Sequence, residues 1–248
     1  MWTGRTHTNA FRDDDLDPRT INNHMSNLRT LLTEAGRGKF VREQLSAQQL
    51  GIERGSRIGK KLAIPAEKYR DAQSKVLQMN EGVHSALALC RMLGLRSAEA
   101  VKSGPYLTLW LAAFDANRPI CIIRGAKGKR ARDLLPRMLP NKVLVRAALV
   151  QAIEVMAAHG GRELVNVDSG SSAINLFHRI AVEAGLVKPF SPHSLRYAFA
   201  CDLLDELQQF GFTRRQASET TSLMLGHGDQ RGRWVDSIYS RRALPMAG

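Results

Sequence analysis

Apolar residues along this chain recur mostly at three- and four-residue spacing, the period of a helix with one buried face. From Pro18 onward, Ile21, Met25, Leu28, Leu31 and Leu32 mark such a stripe, with Thr20 as a candidate cap and Gly36 and Gly38 as its stop. Residues 40–50 offer a second, shorter helix. Residues 66–79 and 81–93 predict two more, the latter with Val83, Ala86, Leu87, Cys90 and Leu93 on one stripe and Gly94 suited to the position just past a helix end. Further helices are predicted over 142–158, closed by Gly160-Gly161, and over 171–184, closed by Gly185. Another opens at Ser191-Pro192, a cap followed by proline at the first helical position, and runs to Gln209. Thr213 with Gln216 has capping-box spacing and opens a helix to Leu225. Residues 106–111 and 119–124 are rich in β-formers, 131–135 is a further candidate strand, and Asp115-Ala-Asn-Arg-Pro119 and Gly125-Ala-Lys-Gly-Lys129 supply turns. The predicted fold class is mainly α with a small antiparallel β-sheet.

The run Gly51-Ile-Glu-Arg-Gly-Ser-Arg-Ile-Gly-Lys-Lys61 breaks this pattern, being rich in glycine and positive charge. It reads as a basic linker dividing a helical segment, 1–62, from a larger one, 63–248. A hydrophobic content of 44% suits a globular chain. The longest apolar stretches, such as Leu144-Val-Arg-Ala-Ala-Leu-Val-Gln-Ala-Ile153, are interrupted well short of the roughly 20 residues that cross a bilayer, so no membrane association is expected. Arg5, Arg12 and three consecutive Asp residues stand where a secretory signal would need an apolar core, so the expected location is the cytoplasm. Cys90, Cys121 and Cys201 are far apart and form no C-x-x-C pair, which predicts reduced, mostly buried thiols rather than disulfides or a zinc site. The net charge of +13 and the pI near 10.2 point to a polyanionic partner, nucleic acid above all, although a solvated basic surface has the same composition.

Four clusters can carry chemistry. In Pro192-His193-Ser194-Leu195-Arg196, a helix start would place His193 and Arg196 on one face beside free backbone N–H groups, an arrangement suited to phosphate. Alone, H-x-x-R equally describes a partly buried histidine and a surface arginine. In Gly94-Leu95-Arg96-Ser97-Ala98-Glu99, the arginine follows a glycine stop and Glu99 could orient it; the plainer reading is a local ion pair. Arg124-Gly125-Ala126-Lys127-Gly128-Lys129-Arg130 is a basic turn between candidate strands, able to set a lysine against a phosphate or simply to be solvated; it is no Walker A loop. Leu225-Gly226-His227 fixes a histidine after a helix stop, and Tyr239 ends a short apolar segment twelve residues later.

Taken together and in this order, Arg96, a hairpin lysine, His193, Arg196, His227 and Tyr239 resemble the tyrosine recombinase, or phage integrase, family over about residues 75–242. The resemblance implies a catalytic domain of that family and, for the helix with Thr20-Ile-Asn-Asn-His-Met-Ser-Asn-Leu-Arg29, a short core-binding-like segment. It implies Lys127 as the catalytic lysine, with Lys129 as fallback. It further implies a site-specific recombinase that acts on double-stranded DNA as a tetramer, through a 3′-phosphotyrosyl intermediate, without metal or cofactor. Arg96 and Arg196 would neutralise the non-bridging oxygens and His227 would donate to them. His193 would take the phenol proton of Tyr239 and Lys127 would protonate the leaving 5′-oxygen. Glu99 would support from behind. Tyr197 would point to another face, and Tyr69 and Tyr106 lie outside the boxes. Arg54, Arg57, Lys60, Lys61, Lys129 and Arg130 would contact the DNA backbone. The competing readings are a catalytically impaired DNA-binding remnant, a topoisomerase IB-like nicking-closing enzyme and a basic RNA-binding protein.

Overall fold

In the computed structural model the chain divides into two compact units, residues 1–58 and 59–248. The structure describes residues 16, 18–52, 61–126, 131–160, 163–167, 169–229 and 231–242. The basic linker stretch straddles the division; Arg54, Arg57 and Lys60 lie outside the described residues, and Lys61 is exposed.

The first unit is built on α1 (Pro18–Glu34) and α2 (Gly38–Gln44). Helix α1 begins at Pro18 rather than after Thr20, because proline's fixed φ suits a first turn in which its missing N–H is not needed. Ile21 and Met25 meet Leu45 and Leu50 in a small core, flanked by the half-buried Leu28 and Leu32. Leu31, placed on the same stripe by the sequence, is exposed.

The second unit runs α3 (Ala66–Met79), α4 (Glu81–Met92), α5 (Ser97–Val101), α6 (Leu107–Asp115), β1 (Ile120–Ile122), β2 (Arg132–Leu134), α7 (Lys142–Ala158), α8 (Gly170–Glu183), α9 (His193–Gln209), α10 (Arg214–Met224) and α11 (Gly232–Tyr239). Helix α4 packs against α3, α7 and α9 and forms the middle of the unit. Helix α9 is buried all round from Ser194 to Cys201, which marks a core element rather than an amphipathic surface helix. Truncating a buried leucine there to alanine removes about 2–5 kcal/mol.

Three local expectations are corrected. The strand expected at 106–111 is helical, a 3-10 turn at Gly104–Tyr106 followed by α6. Leu107-Thr-Leu-Trp-Leu alternates in polarity, yet burial follows the three-residue spacing of Leu107 and Trp110, and Leu109 stays 65% exposed. The Trp110 indole N–H donates to the Cys121 carbonyl at 3.1 Å, seating α6 against β1. The sheet is then one antiparallel hairpin pairing Ile120 with Leu134 and Ile122 with Arg132. Ser191 does not cap α9 with its hydroxyl: Pro192 stands at the cap in a helical conformation, and the Ser194 N–H closes onto the Ser191 carbonyl at 2.7 Å. Cys121 is exposed, because β1 alternates and turns its middle residue outward; Cys90 and Cys201 are buried, and all three are free thiols. Among the described residues no helix is long and apolar enough to cross a membrane, and no cluster of potential metal ligands occurs.

Candidate active site

Arg96 lies in the turn between α4 and α5, with Glu99 in the first turn of α5. The Glu99 carboxylate accepts the Arg96 backbone N–H at 2.7 Å and Arg96 Nη1 at 2.6 Å, so one fully buried side chain fixes both the turn and the guanidinium it presents. Arg196, four residues into α9, is fully buried. It donates from Nη1 to the Gly94 carbonyl and from Nη2 to the Leu225 carbonyl, while its Nε has no partner. These carbonyls lie at the C-terminal ends of α4 and α10, where the last turn leaves backbone acceptors unpaired and cations are favoured. Arg96 Nη2 reaches the same Leu225 oxygen at 3.4 Å, so the two guanidinium groups converge on one atom.

A third arginine joins them. Arg132 opens β2, paired with Ile122 and facing inward. Its Nε donates to the Met224 carbonyl at 2.8 Å, its Nη1 to Glu99 Oε1 and its Nη2 to the Gly94 carbonyl at 3.4 Å. Each pair of guanidinium groups therefore shares one oxygen: Glu99 Oε1 between Arg96 and Arg132, Gly94 O between Arg132 and Arg196, Leu225 O between Arg96 and Arg196. Sequence reasoning missed Arg132, whose partners lie 33 to 92 residues away. The available signal was its strand register, which sets it on the same inward face as Leu134.

The end of α10 places the next group. The Gly226 N–H bonds back to Leu223 O and the His227 N–H to Ser222 O, the paired bonds of a Schellman stop, with Gly226 at φ +69°. A Cβ at Gly226 would stand 2.9 Å from Arg132 Cδ, so glycine serves both the turn and the arginine. Gly125 does similar work in the hairpin turn: at φ +80° its backbone lies so close to α5 that a Cβ would meet Ala98 O at 2.5 Å. Lys127, Lys129 and Arg130, which follow it, lie outside the described residues.

His227 Nε2 pairs with the Tyr239 hydroxyl at 3.2 Å. The Tyr239 ring is buried among Tyr197 at 4.4 Å, His227 at 5.3 Å, Trp234 at 5.5 Å and His193 at 6.2 Å between ring centres. Tyr197, expected on another face, belongs to this cluster; it follows His193 by one helical turn and their ring centres are 5.5 Å apart. Trp234, unassigned from sequence, packs edge-on to His227 at 4.5 Å.

The charges set protonation states. Burial and the neighbouring Arg196, Lys61 and Arg96 push His193 down to about 3, against the opposing pull of Glu99. Burial and Arg196, Arg96, Arg132 and Arg231 push His227 down to about 3 as well. Both imidazoles are thus neutral near pH 7. Burial and Arg132 lower Arg196 to about 10, which leaves it charged. Burial works to raise Glu99, but Arg132, Arg196 and the Arg96 backbone N–H prevail and hold it below the usual carboxylate range.

Comparison with known proteins gives a family and a fold. The model of the integrase family matches residues 51–202, more than half of the chain and ending before His227 and Tyr239. The chain belongs to the integrase family, the tyrosine recombinases. No curated protein sequence matches it. Among solved structures, a crystal structure of a lambda integrase (75–356) dimer bound to a COC′ core site aligns with a TM-score of 0.55 at 14% identity, covering 94% of this chain and 83% of that one, a likeness of fold. A crystal structure of XerA recombinase aligns with a TM-score of 0.45 at 12% identity, covering 93% and 80%.

Proposed function

We propose that this protein is a site-specific DNA recombinase that cleaves and rejoins duplex DNA through a 3′-phosphotyrosyl link to Tyr239. The observation carrying this reading is the convergence of Arg96 and Arg196 on the Leu225 carbonyl, two residues before a histidine bonded to the phenol. Arg96 and Arg196 bind the non-bridging oxygens of the scissile phosphate, where negative charge grows as the phenol attacks. The phenol proton passes to His227, which holds the hydroxyl and is neutral; this exchanges the roles expected from sequence, since His193 then donates to a non-bridging oxygen from the first turn of α9. The P–O5′ bond breaks, and the leaving oxygen takes a proton from Lys127, the residue that the family resemblance supplies. Reversal with a new 5′-hydroxyl rejoins the strand. Glu99 positions Arg96, and no step draws on a metal or nucleotide.

The partner is double-stranded DNA, held through backbone contacts from Arg54, Arg57, Lys60, Lys61, Lys129 and Arg130, with the 1–62 segment as a core-binding-like arm. Assembly as a tetramer on two DNA sites in the cytoplasm, at the nucleoid, completes the proposal. The test is a nicked suicide duplex carrying the ends of the element that encodes the protein. A covalent protein–DNA band that survives denaturation, persists in Tyr197→Phe and disappears in Tyr239→Phe supports the reading. A band retained by Tyr239→Phe moves the nucleophile elsewhere.

A further inference from the structure

Glu99 poses a problem for the site around it. A buried carboxylate bonded directly to Arg96 cancels one of the charges meant for phosphate. Attack by a phenolate on a phosphodiester gathers two negative charges at phosphorus, one from each reactant. Counting only the guanidinium groups and Glu99, Arg96 and Arg196 would leave a surplus of one; the proton taken by His227 and the Lys127 ammonium, assigned to the phenol and the leaving oxygen, stand outside this count. Arg132 restores the balance: three guanidinium groups face one carboxylate, and the surplus is two. Its position also keeps it off the phosphate. Its Nε, Nη1 and Nη2 are all engaged, by Met224 O, Glu99 Oε1 and Gly94 O, whereas the Arg96 side chain is 22% exposed and Arg196, although as deeply buried, keeps its Nε without a partner.

We propose that Arg132 is a positioning residue of the cleavage reaction: by engaging Glu99 and tying the hairpin to the α10 stop, it leaves two uncompensated positive charges facing the scissile phosphate. This rests on the reading of the site given above. It predicts an uncommon pattern, in which removing the carboxylate repairs the loss of Arg132. Single-turnover cleavage of the suicide duplex is measured for the wild type, Arg132→Gln, Glu99→Gln and the double variant, with DNA affinity and melting temperature for each. Arg132→Gln is expected to slow cleavage by about a hundredfold, the scale of losing one preorganised electrostatic group, while DNA affinity changes less than threefold. The double variant is expected to cleave at least about tenfold faster than Arg132→Gln, because the surplus returns to two. Arg132→Lys, which keeps the charge and loses the fork, should stay within about tenfold of the wild type. A double variant no faster than Arg132→Gln, or a folded Arg132→Lys as slow as Arg132→Gln, overturns the charge account. Should Arg132→Gln unfold, the Lys variant with and without Glu99→Gln decides, since the rescue must then vanish. A wild type that forms no adduct sinks the reading of the site; a wild type that cleaves beside an equally fast Arg132→Gln sinks only this inference.

Discussion

The two sides of the candidate site are held by different physics. On the arginine side, three guanidinium groups bind a carboxylate and main-chain carbonyls at the ends of α4 and α10, so turns distant in sequence are tied by charge-assisted hydrogen bonds in a buried space. On the phenol side, Tyr239 ends an eight-residue helix and rests on rings, with its hydroxyl paired to His227, its carbonyl accepting from the Cys201 thiol, and an exposed Arg214–Asp236 ion pair joining that helix to α10. Bonded networks of the first kind exist in one arrangement, whereas ring contacts tolerate sliding. On the proposed reading the difference is a division of labour: the half proposed to bind phosphate is built in advance by bonded groups, and the half that carries the phenol is kept in place mainly by packing.

Substitutions that break this contrast are ordered by expected effect. Tyr239→Phe removes the proposed nucleophile and should abolish covalent DNA adduct entirely while melting near the wild type, because the ring contacts remain; denaturing gels and thermal unfolding check both. Arg196→Lys loses the fork that spans Gly94 O and Leu225 O; cleavage should fall about 10²–10³-fold, with a melting temperature several degrees lower because a buried carbonyl loses its donor. Gly226→Ala should cost about 1–2 kcal/mol in denaturant unfolding, from the left-handed backbone and the clash with Arg132, and should slow cleavage through both Arg132 and His227. Trp234→Ala, on the looser side, should lower the cleavage rate by about tenfold and leave stability within about 1–2 kcal/mol of the wild type, since α11 keeps Val235 and Ile238 in the core.

The pH response is read on stability alone. His193 and His227 take up protons near pH 6.5 when unfolded but only at about 3 when folded. Between these values the unfolded state binds more protons, so stability falls as the pH falls, by up to about 1 kcal/mol per pH unit for each histidine. Thermal melts from pH 7 to 4 should show this slope, and it should flatten in His193→Gln and His227→Gln.

What the sequence revealed follows the range of the interactions. Helices whose stripe and stop lie within a few residues were readable: α3, α4 and α10 begin and end close to where Gly94, Thr213 and the apolar spacing put them. The segment at 107–111 reads as a strand because alternating leucines satisfy a strand pattern, and its packing on α7 and β1 selects the helix. Within the site, Arg96, Glu99, His193, Arg196, His227 and Tyr239 carried local cues, a glycine stop, a helix start or a chain-end phenol. Arg132, Tyr197 and Trp234 carried none strong enough, because their placement depends on partners tens of residues away or on a tail whose docking no local pattern specifies.

Of the three oxygens shared by the guanidinium groups, two belong to the peptide backbone, at Gly94 and Leu225. Every amino acid carries that oxygen, so no codon change can delete it. Heritable variation reaches the centre only through Glu99, through the arginines themselves, or through glycines that steer the main chain past them. Drift in this lineage should therefore show as shifts of turn geometry more readily than as exchange of acceptors.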